Sequence, residues 1–346
     1  MNWKQSSVIK FGVIGVCVVV AAAFAVAHAG GATSRQAASQ PYVAGVSPFS
    51  NDPTLLPTSC GAASVLKKAG YKWTWGGPTG ADVPGELSFL NSISLLKPAG
   101  VILLPLSPTA FNQKITSLMG QGVPIDMTDG NLSPFVAHRS YQSDFSTSGK
   151  LVTQGVLRIT GGQGTVGVIG LAPGLAQDYS RFNPAIKLLK SHPGIKVLPV
   201  QYAAANNVKA AAIAAAMIRG NPDLKVIIAS NGPEAIGAAS AVLSTHSKGK
   251  VKIIAFDSPA QVITAIKQGT IDFTIAQAPF LKGVYAARDI LLWIKQHGIR
   301  SGKVPIGKPS IVPVPTKVLN AQNVGSAAAR AYLDSPNCST FKGLNP

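Results

Sequence analysis

Residues 251–283 read VKIIAFDSPAQVITAIKQGTIDFTIAQAPFLKG. Lys252 to Phe256 is almost continuously apolar, Ser258 and Pro259 open a helix through Val262 and Ile266, and Gly269 closes it. Ile271 to Ala276 is a second apolar run. Apolar residues one turn apart describe a helix with one buried face. An unbroken apolar run describes a strand covered on both faces, as in parallel sheets. The stretch is therefore a strand–helix–strand unit of an open α/β sheet.

The same grammar extends outward. Val101 to Leu104 is a strand; Ser107 and Pro108 are placed to start a helix in which Phe111, Ile115, Leu118 and Met119 share a face; Gly120 and Gly122 end it. Val123 to Thr128 is the next strand. Thr165 to Ile169, Lys196 to Val200 and Lys225 to Ala229 are strand-like, and Lys209 to Ile218 and Pro233 to Leu243 are helical. So many repeats predict two doubly wound parallel-sheet lobes.

Ligands of open parallel sheets sit beyond the carboxyl ends of the strands. Four predicted strands finish in a carboxylate or an amide: Asp129, Asn231, Asp257 and Gln277. Such groups suit a polyhydroxylated ligand, because a carboxylate accepts hydroxyl hydrogen bonds and an amide both donates and accepts. For Asn231 before Gly232-Pro233 and for Asp257 before Ser258-Pro259, capping of the following helix is the competing role.

The N-terminus points to export. Lys4 and Lys10 precede an apolar run from Phe11 to Ala27 and the small-residue triplet Ala27, His28, Ala29. That order predicts a signal peptide over residues 1–29, with a flexible leader at 30–40 and delivery to the periplasm. Of the three cysteines, Cys17 lies in the signal peptide; Cys60 and Cys338 remain as a candidate disulfide, with two free thiols the alternative. The net charge of +18 is spread along the chain, with no basic stripe or reader motif, so no nucleic-acid partner is expected.

Enzyme signatures are missing. No G-x-S-x-G elbow occurs, and the five histidines are scattered without metal-ligand spacing. Gly162 to Gly167 fits G-x-G-x-x-G, but its glycines precede a strand instead of opening a helix, so it is a turn and no cofactor is expected.

The chain resembles the ribose-binding type of periplasmic sugar-binding protein, with the type I periplasmic binding fold. The resemblance rests on residues 221–243, NPDLKVIIASNGPEAIGAASAVL, on residues 251–283, on AGVILLPLSPTAFNQKITSLMGQGVPIDMTD at 99–129, and on KPSIVPVPTKVLNAQNV at 308–324. It implies an N-terminal lobe at 41–143 and 278–308 and a C-terminal lobe at 144–277 and 309–346. Three hinge crossovers would lie near Ser143-Asp144, Gln277-Ala278 and Lys308-Pro309. It further implies a monomer that captures a small sugar or polyol by hinge closure and delivers it to an ABC permease. The rival role is a receptor subunit presenting its ligand to a membrane sensor or chemoreceptor.

Carried over by resemblance, Asp129, Asn231, Asp257 and Gln277 are sugar contacts, Asp178 or Tyr179 is a further one, and Phe49 is the stacking aromatic of the first loop. Trp75, Phe145 and Phe280 are other candidates for covering the apolar faces of a sugar. Ribose binders carry Arg where this chain has Gly130, and usually Asp where it has Gly232. Both changes delete a polar group, which suggests more space and a ligand bulkier or less polar than ribose.

Overall fold

A computed structural model describes residues 40–174 and 176–344. The expected signal peptide, and the leader apart from Gln40, lie outside the described residues. From Gln40 onward the first run of elements is β1 (Tyr42–Val46), α1 (Leu56–Leu66), β2 (Lys72–Gly76), α2 (Val83–Leu95), β3 (Gly100–Leu103), α3 (Asn112–Gly120), β4 (Ile125–Thr128) and β5 (Arg139–Ser143). The second is α4 (Phe145–Thr160), β6 (Gly164–Gly170), α5 (Ala176–Leu189), β7 (Ile195–Val197), β8 (Gln201–Tyr202), α6 (Asn207–Gly220), β9 (Leu224–Ala229), α7 (Gly232–Ser244), β10 (Lys252–Phe256), α8 (Ala260–Lys267) and β11 (Phe273–Ala276). The chain then returns through α9 (Pro279–His297) and β12 (Ile311–Val314), and finishes with β13 (Lys317–Asn320) and 3-10 turns at Ala327–Tyr332 and Cys338–Phe341.

These elements build two sheets. The first has the order β12-β5-β4-β3-β1-β2, with every pairing parallel. The second runs β13-β11-β10-β9-β6-β7, with β8 also on β6, and is parallel except for β13. The unbroken apolar strands now have their reason. Along β3, Val101 and Leu103 enter one core while Ile102 enters the core on the opposite face. Along β10, Ile253 and Ala255 face one core, and Ile254 and Phe256 the other. Successive side chains of a strand point to opposite faces, so a sheet wrapped on both sides needs apolar residues at every position.

Helix α9 belongs to the first lobe and crosses α1 at very short range. A Cβ on Gly61 would strike the carbonyl of Phe280, and one on Gly283 would strike the carbonyl of Thr58. Two glycines, one on each helix, let the backbones touch.

Several expectations are corrected. Helix α3 starts at Asn112, not at Pro108, because the Ser107 hydroxyl accepts the N–H of Ala110 and folds the preceding residues into a separate turn. The strand expected at Lys196–Val200 is split into β7 and β8, with Pro199, which has no N–H to donate, in the gap. The Gly162 to Gly167 segment needs no correction, being a turn that runs into a strand: Gly161 ends α4 with φ +64°, and Gly164 starts β6.

The lobe boundary expected after residue 308 is also displaced. Residues 311–314 pair with β5 in the first sheet, so the third crossover falls at Pro315-Thr316, between β12 and β13. The last residues do not stay in the C-terminal lobe either: Phe341 is buried in the core of the first.

Candidate functional site

One strand in each sheet ends in the same way. After β4, Asp129 still donates its N–H across the ladder to Tyr141 O (3.1 Å); after β10, Asp257 does so to Ile275 O (3.3 Å). Both then turn into left-handed backbone, with φ of +63° and +65°. That conformation costs an L-residue roughly 1–2 kcal/mol, and such outliers cluster at binding and catalytic sites. Here the kink turns a carboxylate off the end of each strand.

Buried cations stand behind these carboxylates. Lys282, in the first turn of α9, places Nζ 2.6 Å from both oxygens of Asp129 and 3.3 Å from Gln277 Oε1. Gln277 Oε1 also accepts the Ser143 hydroxyl (2.7 Å), and its Nε2 donates to Asp257 Oδ1 (2.6 Å). Arg181 Nη1 donates to Asp257 Oδ2 (2.9 Å) and to Ser230 O (2.7 Å). A polar chain therefore runs from Asp129 in the first lobe to Asp257 in the second, touching two hinge crossovers at Ser143 and Gln277. The side chains of Lys282 and Arg181 are 1% and 9% exposed, against 22% and 14% for Asp129 and Asp257. The cations are sealed behind while the acceptors face outward.

Three of the four strand-end residues are thus joined: Asp129, Asp257 and Gln277. Asn231 stands apart from the chain. Its Oδ1 accepts the N–H of Glu234 (3.4 Å) and caps α7. Asp257, in contrast, caps nothing, since α8 is preceded by Pro259 with no side-chain cap. Asp178 is buried at the end of β6 with Oδ2 on Leu171 N (2.8 Å), whereas the hydroxyl of Tyr179 accepts the N–H of Gly174 (2.7 Å). Phe49 lies in the loop after β1, half-buried. Phe145 packs against the core of the second lobe, and Trp75 donates to Ser50 O (3.0 Å). Phe280 does not face a cleft: it is 1% exposed and stacks on Phe341.

The two glycines do not open space. Gly130 has φ +69°, and a Cβ there would lie 2.8 Å from Pro105 O. A Cβ on Gly232 would lie 2.9 Å from Pro259 Cγ. Prolines fill the room, so the bulkier ligand suggested by these replacements has no support in the geometry.

Residues that sequence reasoning missed complete the setting. Asp334 is buried beside Ser258, its Oδ2 accepting the Ser258 N–H (2.6 Å). Burial, reinforced by the charge of Asp257, pushes its carboxyl up to about 8. Glu234 accepts the N–H of Ala205 (2.9 Å) and is raised by burial. Among the described residues, the buried Thr128 and Ser230 hydroxyls, Arg181 Nε and one Glu234 oxygen have no hydrogen-bond partner. Such atoms are rare in folded interiors and call for polar partners. Arg181 and Lys282 are 76 and 153 residues from the carboxylates they hold. One signal was available: Lys282, Ala286 and Asp289 fall at i, i+4 and i+7 on the buried face of α9.

One of the histidines dismissed for lack of ligand spacing, His138, sits in a cluster among the described residues. Asp126, His138 and Asp289 offer ligand atoms within 4.8 Å of one another in the first lobe. His138 Nδ1 is 3.0 Å from Asp126 Oδ1 and 3.3 Å from Asp289 Oδ2, and Arg139 lies 2.6 Å from Asp289 Oδ1. Burial alone would lower His138, but its bonds and charge contacts to both aspartates carry it up to about 9. His138 and Arg139 face the two aspartates here, so the cluster is a polar network that ties β4 and β5 to α9.

A family model described as a periplasmic binding protein domain matches residues 43–295. The D-allose-binding periplasmic protein of Escherichia coli (strain K12) is 24% identical over 214 residues, covering 58% of this chain and 68% of that protein. The ribose import binding protein RbsB of Bacillus subtilis (strain 168) is 26% identical over 249 residues, covering 70% and 78%. Among solved structures, an ABC transporter solute binding protein from Agrobacterium vitis bound with alpha-D-tagatopyranose superposes with a TM-score of 0.71 at 23% identity, over 85% of this chain and 99% of that one.

Proposed function

Because the chain belongs to the periplasmic binding protein domain family, we propose that it is the solute-binding component of an ABC importer and takes a small neutral sugar or polyol. The observation that carries this reading is the polar chain from Asp129 through Lys282, Gln277 and Asp257 to Arg181. Its two carboxylates are matched by two cations, so the strand ends present acceptors without a net charge. A sugar acid would bring an uncompensated anion to those acceptors, and an amino sugar an uncompensated cation. A neutral hydroxyl donor needs neither. Relatives named for allose and ribose, and a structural neighbour bound with a tagatose, agree with that class.

The remaining parts of the proposal follow from the same reading. The lysine-led apolar run before Ala29 directs export to the periplasm, where the mature chain works as a monomer. It acts by capture and release and performs no chemistry on its ligand. Closure of the lobes about their crossovers buries the sugar and forms the face a permease docks on.

A thermal-shift screen followed by calorimetry tests the class, using neutral pentoses and hexoses, polyols, sugar acids and amino sugars. A neutral sugar or polyol should give the largest shift and a dissociation constant on the order of micromolar. A best response to a charged sugar, or none from any neutral compound, overturns the proposal. Deleting the gene should abolish uptake of that ligand. Lost signalling with intact uptake would favour the receptor-subunit role.

A further inference from the structure

The chain leaves the second lobe and ends on the first. After β13, the turn at Ala327–Tyr332 leads to Asp334, which is pinned to the second lobe on both sides of its peptide. Its carboxylate accepts Ser258 N (2.6 Å), its own N–H donates to Ser258 O (3.3 Å), and the Ser258 hydroxyl donates to Tyr332 O. Ser258 directly follows Asp257. Four residues later Cys338 is joined to Cys60 on α1 of the first lobe, with Cα atoms 5.3 Å apart. Phe341, 4% exposed, then stacks on Phe280 with ring centroids 4.7 Å apart.

We propose that residues 334–338 are a tether between the lobes, distinct from the three hinge crossovers, which limits how far the cleft can open. Four fully extended residues span at most about 14 Å, so the separation of Asp334 from Cys338 has that ceiling unless Asp334 is pulled from its seat or the bridge is broken. The noncovalent anchor in the second lobe is buried and the anchor in the first is covalent, so neither end peels away easily. A tether of this kind removes wide-open conformations from the ligand-free protein. Less free energy is then needed to reach the closed form, and apparent affinity rises with the fraction of closure-competent molecules. The inference rests on the reading of the chain as a two-lobed binding protein but not on the identity of its ligand.

Small-angle scattering of the mature protein tests it with no ligand present. The oxidised protein is compared with protein reduced by dithiothreitol, with Cys338→Ser, and with a variant carrying Gly-Ser-Gly-Ser inserted after Pro336. The insertion keeps the disulfide and slackens the tether. All three altered forms should show a larger ligand-free radius of gyration, and their affinity for a ligand found by the screen should fall roughly three- to tenfold. A folded insertion variant with the ligand-free scattering of the oxidised protein overturns the proposal, as do two free thiols in the native protein. If no sugar binds, the functional reading fails while the scattering still decides the tether. Should Cys338→Ser or the reduced protein lose its near-ultraviolet dichroism, the insertion variant, with its bridge intact, carries the decision.

Discussion

Asp257 is held by two partners and is 14% exposed, and these facts set how it should be probed. Replacement by alanine would strand the Arg181 guanidinium in the interior, and stranding a buried charge costs several kcal/mol of stability. Asp257→Asn keeps the size and one acceptor oxygen while removing the charge. It should weaken binding of the sugar by more than roughly 1 kcal/mol, about fivefold, with the fold intact. Unchanged affinity by calorimetry would remove Asp257 from the ligand's contacts. Gly130 is the other informative position. Because its backbone is left-handed and pressed on Pro105, Gly130→Ala should destabilise the protein by about 1–2 kcal/mol in urea unfolding. An unaltered midpoint would mean that the loop relaxes freely. The glycine is there for the turn, and the cation that meets the neighbouring Asp129 comes from Lys282 of α9.

At the scale of elements, the seam between α1 and α9 is a backbone-to-backbone contact with no room for a side chain at Gly61 or Gly283. Gly61→Ala would drive a methyl into the Phe280 carbonyl, which is backbone and cannot rotate away. Overpacking of this kind typically costs 1–3 kcal/mol. The variant should melt several degrees below the parent by calorimetry; an unshifted transition would show that the helices can slide apart. Elements were also where sequence reading did best and worst. Strands such as Lys252–Phe256 were legible because a short, nearly continuous apolar run bounded by turn residues suits a sheet covered on both faces. The strand ends Asp129, Asp257 and Gln277 followed from the strands themselves. Asn231 caps α7 through its Oδ1, and a strand-end amide can combine that role with a ligand contact through its nitrogen, so local sequence did not separate the two roles. Arg181 and Asp334 were illegible, and the helical spacing of Lys282 could reveal its burial but not its partner, because these pairs are long-range and nothing local says which helix will lie across which strand end. The fate of β12 was hidden for a similar reason: an edge strand can join either sheet, and its short apolar run fits both.

Taken whole, the molecule buries several acids whose protonation is tied to folding. Burial pushes Glu86 up to about 7, against the hydrogen bond from Leu106 N, and burial likewise carries Asp126 up to about 7, opposed by its bond to His138. Asp334 lies at about 8 and His138 at about 9. All four stand above their unfolded values, so their contribution is complete below those values and fades as pH rises through the folded ones. Asp144, Asp223 and Asp289 are lowered despite any burial, by hydrogen bonds from Thr147, Thr165 and His138 respectively, and their contribution fades as pH falls below the ordinary carboxylate range. Thermal stability should therefore peak near the ordinary carboxylate range, about pH 4 to 5, and decline as pH rises from there to about 9, His138 alone contributing above about pH 8. Asp334→Asn, which imitates the protonated acid, should reduce the part of that decline that falls below about pH 8. A melting temperature that climbs between pH 7 and 9 would contradict the assignment of these groups.

The late return of the chain to its first sheet also governs how the protein can be made. α9 and β12 come from beyond the whole second lobe, yet α9 covers one face of the first sheet and β12 forms its edge. A nascent chain that has reached residue 143 holds five of that sheet's six strands, with Val43, Ala62, Leu66 and Ile102 still without the cover of α9. The first lobe to be synthesised is thus the last to be finished, and severing the gene between the lobes yields a sticky N-terminal fragment instead of a free-standing domain.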